Sequence, residues 1–193
     1  MKRMKDILRL GTLIAVLFLG IQNLAVAQVS YMLDEAESSA FVRGTSTIHD
    51  WEMKVEQLQG SITLAEAGSI NSLQKGNFQT NVESLKSDRN LMNKKTYEAL
   101  KSKKHPQITV QVNSVKEVQG KLVANLVVTI AGQTQKVTDE IELKTLANQA
   151  LSVQGILDLK MTSYQVEPPV ALMGTIKTDD EVKVAYHLIF KQK

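Results

Sequence analysis

The sequence predicts an all-β protein, an antiparallel up-and-down barrel of about eight strands with one helix covering it. Three observations point there. Apolar and polar residues alternate with period two through most of residues 29–191. Nearly all the alternating segments are joined by short turns, without the helix after each strand that parallel crossovers need. One stretch, residues 87–104, breaks the pattern and reads as an amphipathic helix. A single sheet of eight to ten strands curls, and closing it removes its exposed edges. A barrel of about eight strands can hold one small ligand. A β-sandwich is the competing architecture.

The chain has 193 residues, enough for one domain with a real core. Residues 1–27 read as a secretory signal peptide rather than part of the fold. Lys2, Arg3, Lys5 and Arg9 form a basic start, residues 10–21 an apolar run, and Ala25-Val26-Ala27 a cleavage site. The run is short of the ~20 residues of a bilayer span, so cleavage after Ala27 is expected, leaving residues 28–193 as a periplasmic or secreted domain. The leader holds four of the 23 Lys/Arg and one of the 20 Asp/Glu, so the remainder is electrically neutral. Neutrality argues against nucleic acid as a partner, because phosphate binding draws on surplus cations. No later apolar run approaches bilayer length, so the mature chain is not expected to span a membrane. The absence of cysteine excludes disulfides and thiol chemistry.

The strands follow in order. Residues 29–33 are a first short strand. Residues 39–48 follow, with Phe41, Arg43, Thr45 and Thr47 on one face. Residues 51–64 alternate next, residues 65–76 read as a loop, and residues 77–85 as a strand carrying Phe78 and Val82. The helix has Ser87 or Asp88 as candidate caps, good helix formers from Asn90 to Lys103, and Pro106 as a stop. Leu91, Met92, Ala99 and Leu100 form its apolar half, with Lys95 and Lys103 inside the stripe. Lysines 101, 103 and 104 suit a helix C-terminus.

Beyond it, residues 107–118 and 121–131 alternate about a Gln119-Gly120 turn. Leu122, Ala124, Leu126, Val128 and Ile130 share a face. Gly132-Gln133 turns the chain into strands at 137–146 and 151–161. The second of these aligns Leu151, Val153, Gly155, Leu157, Leu159 and Met161. Pro168-Pro169 interrupts the ladder. Residues 170–177 and 182–191 read as a last hairpin about Asp179-Asp180, with Val182, Val184, Tyr186, Leu188 and Phe190 in line.

Few residues suggest catalysis. His49-Asp50-Trp51 could supply a general base with its orienting acid, or part of a metal site. Neither reading has a recognised spacing, because HxH, HExxH and GxSxG are all absent. A structural role for His49 and Asp50 at a strand junction is the better reading. No catalytic residue, metal or cofactor is expected. Trp51, the sole tryptophan, is either core or a stacking surface. The helix lysines read chiefly as a solvated face. The inward candidates are aliphatic and only 5% of residues are aromatic, which suits a dry, elongated pocket.

Three stretches together resemble the YceI-like family. GTSTIHDWE at residues 44–52 resembles its opening motif. Residues 82–108, with SLKS, YEALK and HPQI, resemble its helix-plus-strand signature. VVTIAGQTQKV at residues 127–137 resembles its "LTIxGxTxxV" hairpin. The ending at residues 164–184 is similar to that of exported members from Bacteroidetes-type bacteria. The resemblance runs in order through residues 29–191. It implies an extended, lipocalin-like eight-stranded barrel, and a polyisoprenoid or other long-chain amphiphile as the ligand. It carries no catalytic residues with it. The chain departs from the family pattern at HDW, in place of a His-Gly-type turn, and at Thr96-Tyr97, in place of a phenylalanine pair.

The expected function is an exported, non-enzymatic binding protein. Its barrel takes the ligand's tail and polar groups near the mouth take the head. Candidate wall residues are Phe41, Trp51, Phe78, Leu126, Val128, Leu157, Leu159, Met161 and Leu188; candidate lid residues are Leu91, Met92, Tyr97 and Leu100. A filled barrel with a structural role in the envelope is the alternative, and a His49-centred metal protein or enzyme a third reading. A homodimer is compatible with the sequence.

Overall fold

The computed structural model describes residues 28–171 and 174–193. The leader lies outside these residues. Twelve strands are present among them. They are β1 (Val29–Leu33), β2 (Ser39–Ser46), β3 (Asp50–Val55), β4 (Gln59–Leu64), β5 (Leu73–Asn81), β6 (Leu85–Lys86), β7 (Gln107–Val118), β8 (Lys121–Ile130), β9 (Gln133–Thr145), β10 (Leu151–Lys160), β11 (Val170–Ala171) and β12 (Ile176–Gln192). The helix α1 is Asn90–Ala99.

Eight of the strands close a ring in the order β1–β4–β5–β7–β8–β9–β10–β12, and β12 returns to β1 through Tyr31↔Gln192 and Leu33↔Phe190. Every pairing is antiparallel. Ring closure decides for the barrel over the sandwich. The remaining sheet is an arm. β12 is 17 residues long; its last residues hold β1, while its earlier part, Thr178 to His187, holds β2. β3 pairs with β2, and the two-residue β6 pairs with β3. β1 and β2 thus lie end to end along β12. One completes the ring and the other carries the arm.

Alternation sets the inner face. On β8, Ala124, Leu126 and Val128 are buried; on β10, Leu151, Val153, Leu157 and Leu159. A bulge in β7 between Val112 and Ser114 changes the phase, so Val115 rather than Ser114 is buried. The ring is packed solid at one end, where Tyr31, Leu64, Leu151 and Phe190 are fully buried. There Phe78 meets Phe190 edge-to-face with centroids 5.8 Å apart. The Tyr31 hydroxyl accepts a hydrogen bond from the Gly68 N–H at 3.1 Å, tying the 65–72 segment over this end.

Several sequence-based boundaries change. Residues 51–64 are two strands, because β3 belongs to the arm and β4 to the ring. Residues 65–76 contain a 3-10 turn and the start of β5, and residues 82–84 form another 3-10 turn. The hairpin about Asp179-Asp180 is not formed. These residues lie within β12 at an irregularity between Thr178 and Val182. Asp180 is held there by the Thr162 N–H (2.8 Å) and hydroxyl (2.7 Å). Val170 nevertheless pairs with Lys177, through β11.

The helix is shorter than expected. It ends at Ala99, and Lys101 takes a left-handed φ of 56°, so Lys101, Lys103 and Lys104 lie past the helix in a turn. Neither Ser87 nor Asp88 caps it. Arg89 holds the N-cap position without a side-chain bond. Ser87 instead donates its N–H and hydroxyl to Asn93 Oδ1, both at 2.8 Å, and accepts from Asn93 Nδ2 on its carbonyl at 3.1 Å. A buried side chain one turn into the helix thus clamps the chain that enters it.

Candidate ligand-binding cavity

The barrel is hollow. A cavity of about 1030 Å³ runs from the packed end to a mouth formed by the β2–β3 turn, α1 and the 3-10 turn Met161–Tyr164. That is the upper end of the roughly 300–1,000 Å³ usual for small-molecule pockets. Its wall is mainly Val, Leu and Ile from the ring, with Phe78 and Phe190 near its floor. Such a wall offers dispersion and desolvation but few directional contacts.

Of the sequence candidates, Trp51, Phe78, Leu91, Met92, Leu100, Leu126, Val128, Leu157, Leu159, Met161 and Leu188 line this cavity. Phe41 and Tyr97 do not. Phe41 is on the outer face of β2, where the Arg43 guanidinium sits 5.7 Å from its ring centroid. The inner face of β2 is Ala40, Val42 and Gly44. Small residues are needed there because the Trp51 ring crosses from β3 and fills the space a Cβ on Gly44 would take. The indole Nε1 donates to Thr45 O at 3.2 Å, which fixes its orientation. Tyr97 turns away from the cavity as a strut. Its hydroxyl lies 3.0 Å from both Glu83 O and Leu85 O, and the Lys86 ammonium rests 5.3 Å from its ring centroid.

His49 is at the mouth. Its Nδ1 lies 3.0 Å from Asp50 O, an acceptor, so this nitrogen carries the proton. Its Nε2 lies 2.9 Å from Arg89 Nη1, a donor, so this nitrogen accepts. Both ring nitrogens are thus engaged, and Ser46 binds the His49 carbonyl through its N–H and hydroxyl. The Asp50 side chain borders an outer groove, not the barrel cavity. Among the described residues, no group of three or more His, Cys, Asp or Glu stands where a metal ion could be held.

The mouth is greasy as well as polar. Ile48, Leu91 and Val170 are 60%, 67% and 54% exposed, and all three border the cavity. Arg89 and Lys95 stand among them.

Sequence reading missed a polar group inside the barrel. Asp139 is 5% exposed and lies in phase with Val137 and Ile141 on the inner face of β9, opposite Ala124. The Tyr186 hydroxyl reaches it from β12 and donates to Oδ2 at 2.5 Å. It crosses β10 over Gly155, whose missing side chain makes the room: a Cβ there would meet the Tyr186 hydroxyl. Burial raises the Asp139 pKa, opposed by the Tyr186 hydrogen bond and reinforced by Asp158. Burial and the same bond push the Tyr186 phenol up, so it keeps its proton. The available signal was a carboxyl at an apolar phase of β9. Tyr164 is also buried at the cavity wall, and its hydroxyl has no partner among the described residues.

A closed antiparallel barrel with an apolar lumen, a packed floor and a helix at its mouth defines the class of hollow, lipocalin-like barrels. Residues 31–190 match the YceI-like domain, and the chain belongs to that family. Solved structures agree on the fold. BcnA from Burkholderia cenocepacia matches with a TM-score of 0.70 at 16% identity, over 81% of this chain and 98% of its own. A polyisoprenoid-binding domain from Saccharophagus degradans, implicated in plant cell wall breakdown, matches at 0.64 and 15%, over 86% and 99%. The YceI protein of Campylobacter jejuni matches at 0.59 and 11%, over 73% and 84%. No curated protein sequence matches the chain.

Proposed function

We propose that the protein is exported, loses residues 1–27, and sequesters a long apolar chain, polyisoprenoid or fatty, inside its barrel without transforming it. The observation that carries this reading is the continuous aliphatic cavity of about 1030 Å³. Burying apolar carbon gains about 0.8 kcal/mol per CH₂. A chain of about twenty carbons therefore gains roughly 16 kcal/mol gross, against an association cost of about 4–15 kcal/mol. Affinity can thus come from the wall alone. The likeness in fold to a polyisoprenoid-binding domain supports the same ligand class. The engaged ring of His49 supports a binding role over a catalytic one, and the hollow interior counts against a filled structural barrel.

The test is to express the full chain with its leader, purify the secreted or periplasmic form, extract it with organic solvent and analyse the extract by mass spectrometry. A mature N-terminus at Gln28 and a stoichiometric long-chain lipid are expected. Empty protein that also takes up no added isoprenoid or fatty chain would overturn the reading.

A further inference from the structure

A carboxyl group buried on the inner face of an apolar barrel wall is costly and calls for a role. Asp139 has no cation within ion-pair distance among the described residues, and the nearby charges Asp158 and Glu140 are of its own sign. Its contact on the lumen side is the Tyr186 hydroxyl. Because that hydroxyl gives its one proton to Asp139, its oxygen keeps only lone pairs for anything else in the lumen. Tyr186 lines the cavity, and Gly155 beneath it keeps the ring where Asp139 can hold it. About eight residues of β12 separate Tyr186 from Thr178 at the mouth, which at ~3.3 Å per residue is roughly 26 Å of strand.

We propose that the Tyr186 oxygen, with its proton directed away by Asp139, accepts a hydrogen bond from an O–H or N–H at the inner end of the bound chain. The barrel on this reading selects an uncharged amphiphile with a donor terminus, an alcohol or a primary amide, and admits it terminus first. Tyr186 touches the ligand and Asp139 is a positioning residue. An anionic terminus is disfavoured, since it would meet the Tyr186 oxygen beside Asp139, a carboxyl with no cation within ion-pair distance among the described residues. On this reading the head group lies inside the barrel, where the sequence suggested the mouth.

The inference rests on the long-chain binding proposed above, and the experiment separates the two. Geranylgeraniol and its methyl ether differ in one donor. The ether is the more apolar, so desolvation alone favours it. Binding of each to the delipidated mature protein is followed by the fluorescence of Trp51, the sole tryptophan and a cavity residue. The wild type is expected to prefer the alcohol by about three- to tenfold, the worth of one net hydrogen bond. Tyr186→Phe should abolish that preference while ether binding persists. Asp139→Asn should reduce it, because the amide can donate to the phenol and let its proton turn to the lumen. Tyr164→Phe should leave the ratio intact, since an unpartnered hydroxyl can serve an ether oxygen as well. Equal binding of the two probes by the wild type, or a preference that survives Tyr186→Phe, would overturn the donor-selective site. Failure of both probes to bind would instead remove the long-chain reading, and this inference with it.

Discussion

The packed end and the mouth of the barrel use the same kinds of side chain for opposite ends. At the packed end Tyr31, Leu64, Leu151 and Phe190 meet one another at 0–1% exposure. At the mouth Ile48, Leu91 and Val170 face both the cavity and water at 54–67% exposure. An apolar side chain at the packed end is satisfied by protein and stabilises the ring. One at the mouth lacks such cover, so its burial waits on whatever enters the cavity. Stability is concentrated at one end, and capacity for a ligand extends from the middle to the other.

Truncation should expose this contrast most strongly. Phe190→Ala leaves a cavity beside Phe78 and should lower unfolding free energy by about 3–5 kcal/mol, measured by urea denaturation. Leu91→Ala should change it by no more than about 0.5 kcal/mol. Comparable losses at the two positions would break the comparison.

A smaller effect belongs to the clamp at the helix entrance. Asn93→Ala deprives the Ser87 N–H and hydroxyl of their acceptor, at a cost of about 1–3 kcal/mol. Amide exchange should accelerate in α1 while β8 keeps its protection. Unchanged protection in α1 would show that the helix is held by its other contacts.

The mildest test uses two carboxylates whose pKa values shift in opposite directions. Asp139, buried on the inner face of β9, is raised chiefly by burial. Its folded form retains a proton that the unfolded chain releases near pH 3.9, so its contribution to stability declines as pH rises from about 4 through the raised value. Asp180 is lowered by its Thr162 hydrogen bonds. Its contribution is present above about pH 3.9 and is lost as pH falls through the lowered value. The melting-temperature difference between Asp139→Asn and wild type should move in the variant's favour from pH 4 to 7. Asp180→Asn should cost stability at neutral pH and nothing well below pH 3. A flat difference for Asp139→Asn would place that carboxyl in a watery setting.

Much of this fold is legible from alternation, because a two-sided wall leaves a period of two wherever one side is wet and the other apolar. β1 and β7 have the predicted bounds, and the inward faces of β8 and β10 follow directly. Errors fall where local pattern and tertiary pairing compete. Two adjacent aspartates resemble a turn, but β12 runs through them because Asp180 is tied to Thr162. Phe41 looks like the inward residue of β2, yet the inward side must stay small for Trp51 to cross Gly44. Tyr97 sits near the helix's apolar side, but the backbone carbonyls of residues 83 and 85 draw its hydroxyl outward. The division into ring and arm has no local signature, since it depends on β12 serving two partners along its length. Asp139 was overlooked because one polar residue in an apolar phase resembles noise until Tyr186 and Gly155 stand beside it.

The joining of β1 to β12 also dictates an order of assembly. Leu33 pairs with Phe190, and the Lys193 N–H donates to Ser30 O at 3.0 Å. Hairpins such as β7–β8 can form while much of the chain is still absent. The ring cannot, because its final seam joins the first strand to the last, across nearly the whole described chain. Loop-closure entropy falls on that one step, and a topology so rich in distant contacts folds slowly. Until β12 arrives, β1 and β10 each present an unpaired edge that could template aggregation. The interval between synthesis and closure is thus the vulnerable period in the life of this protein.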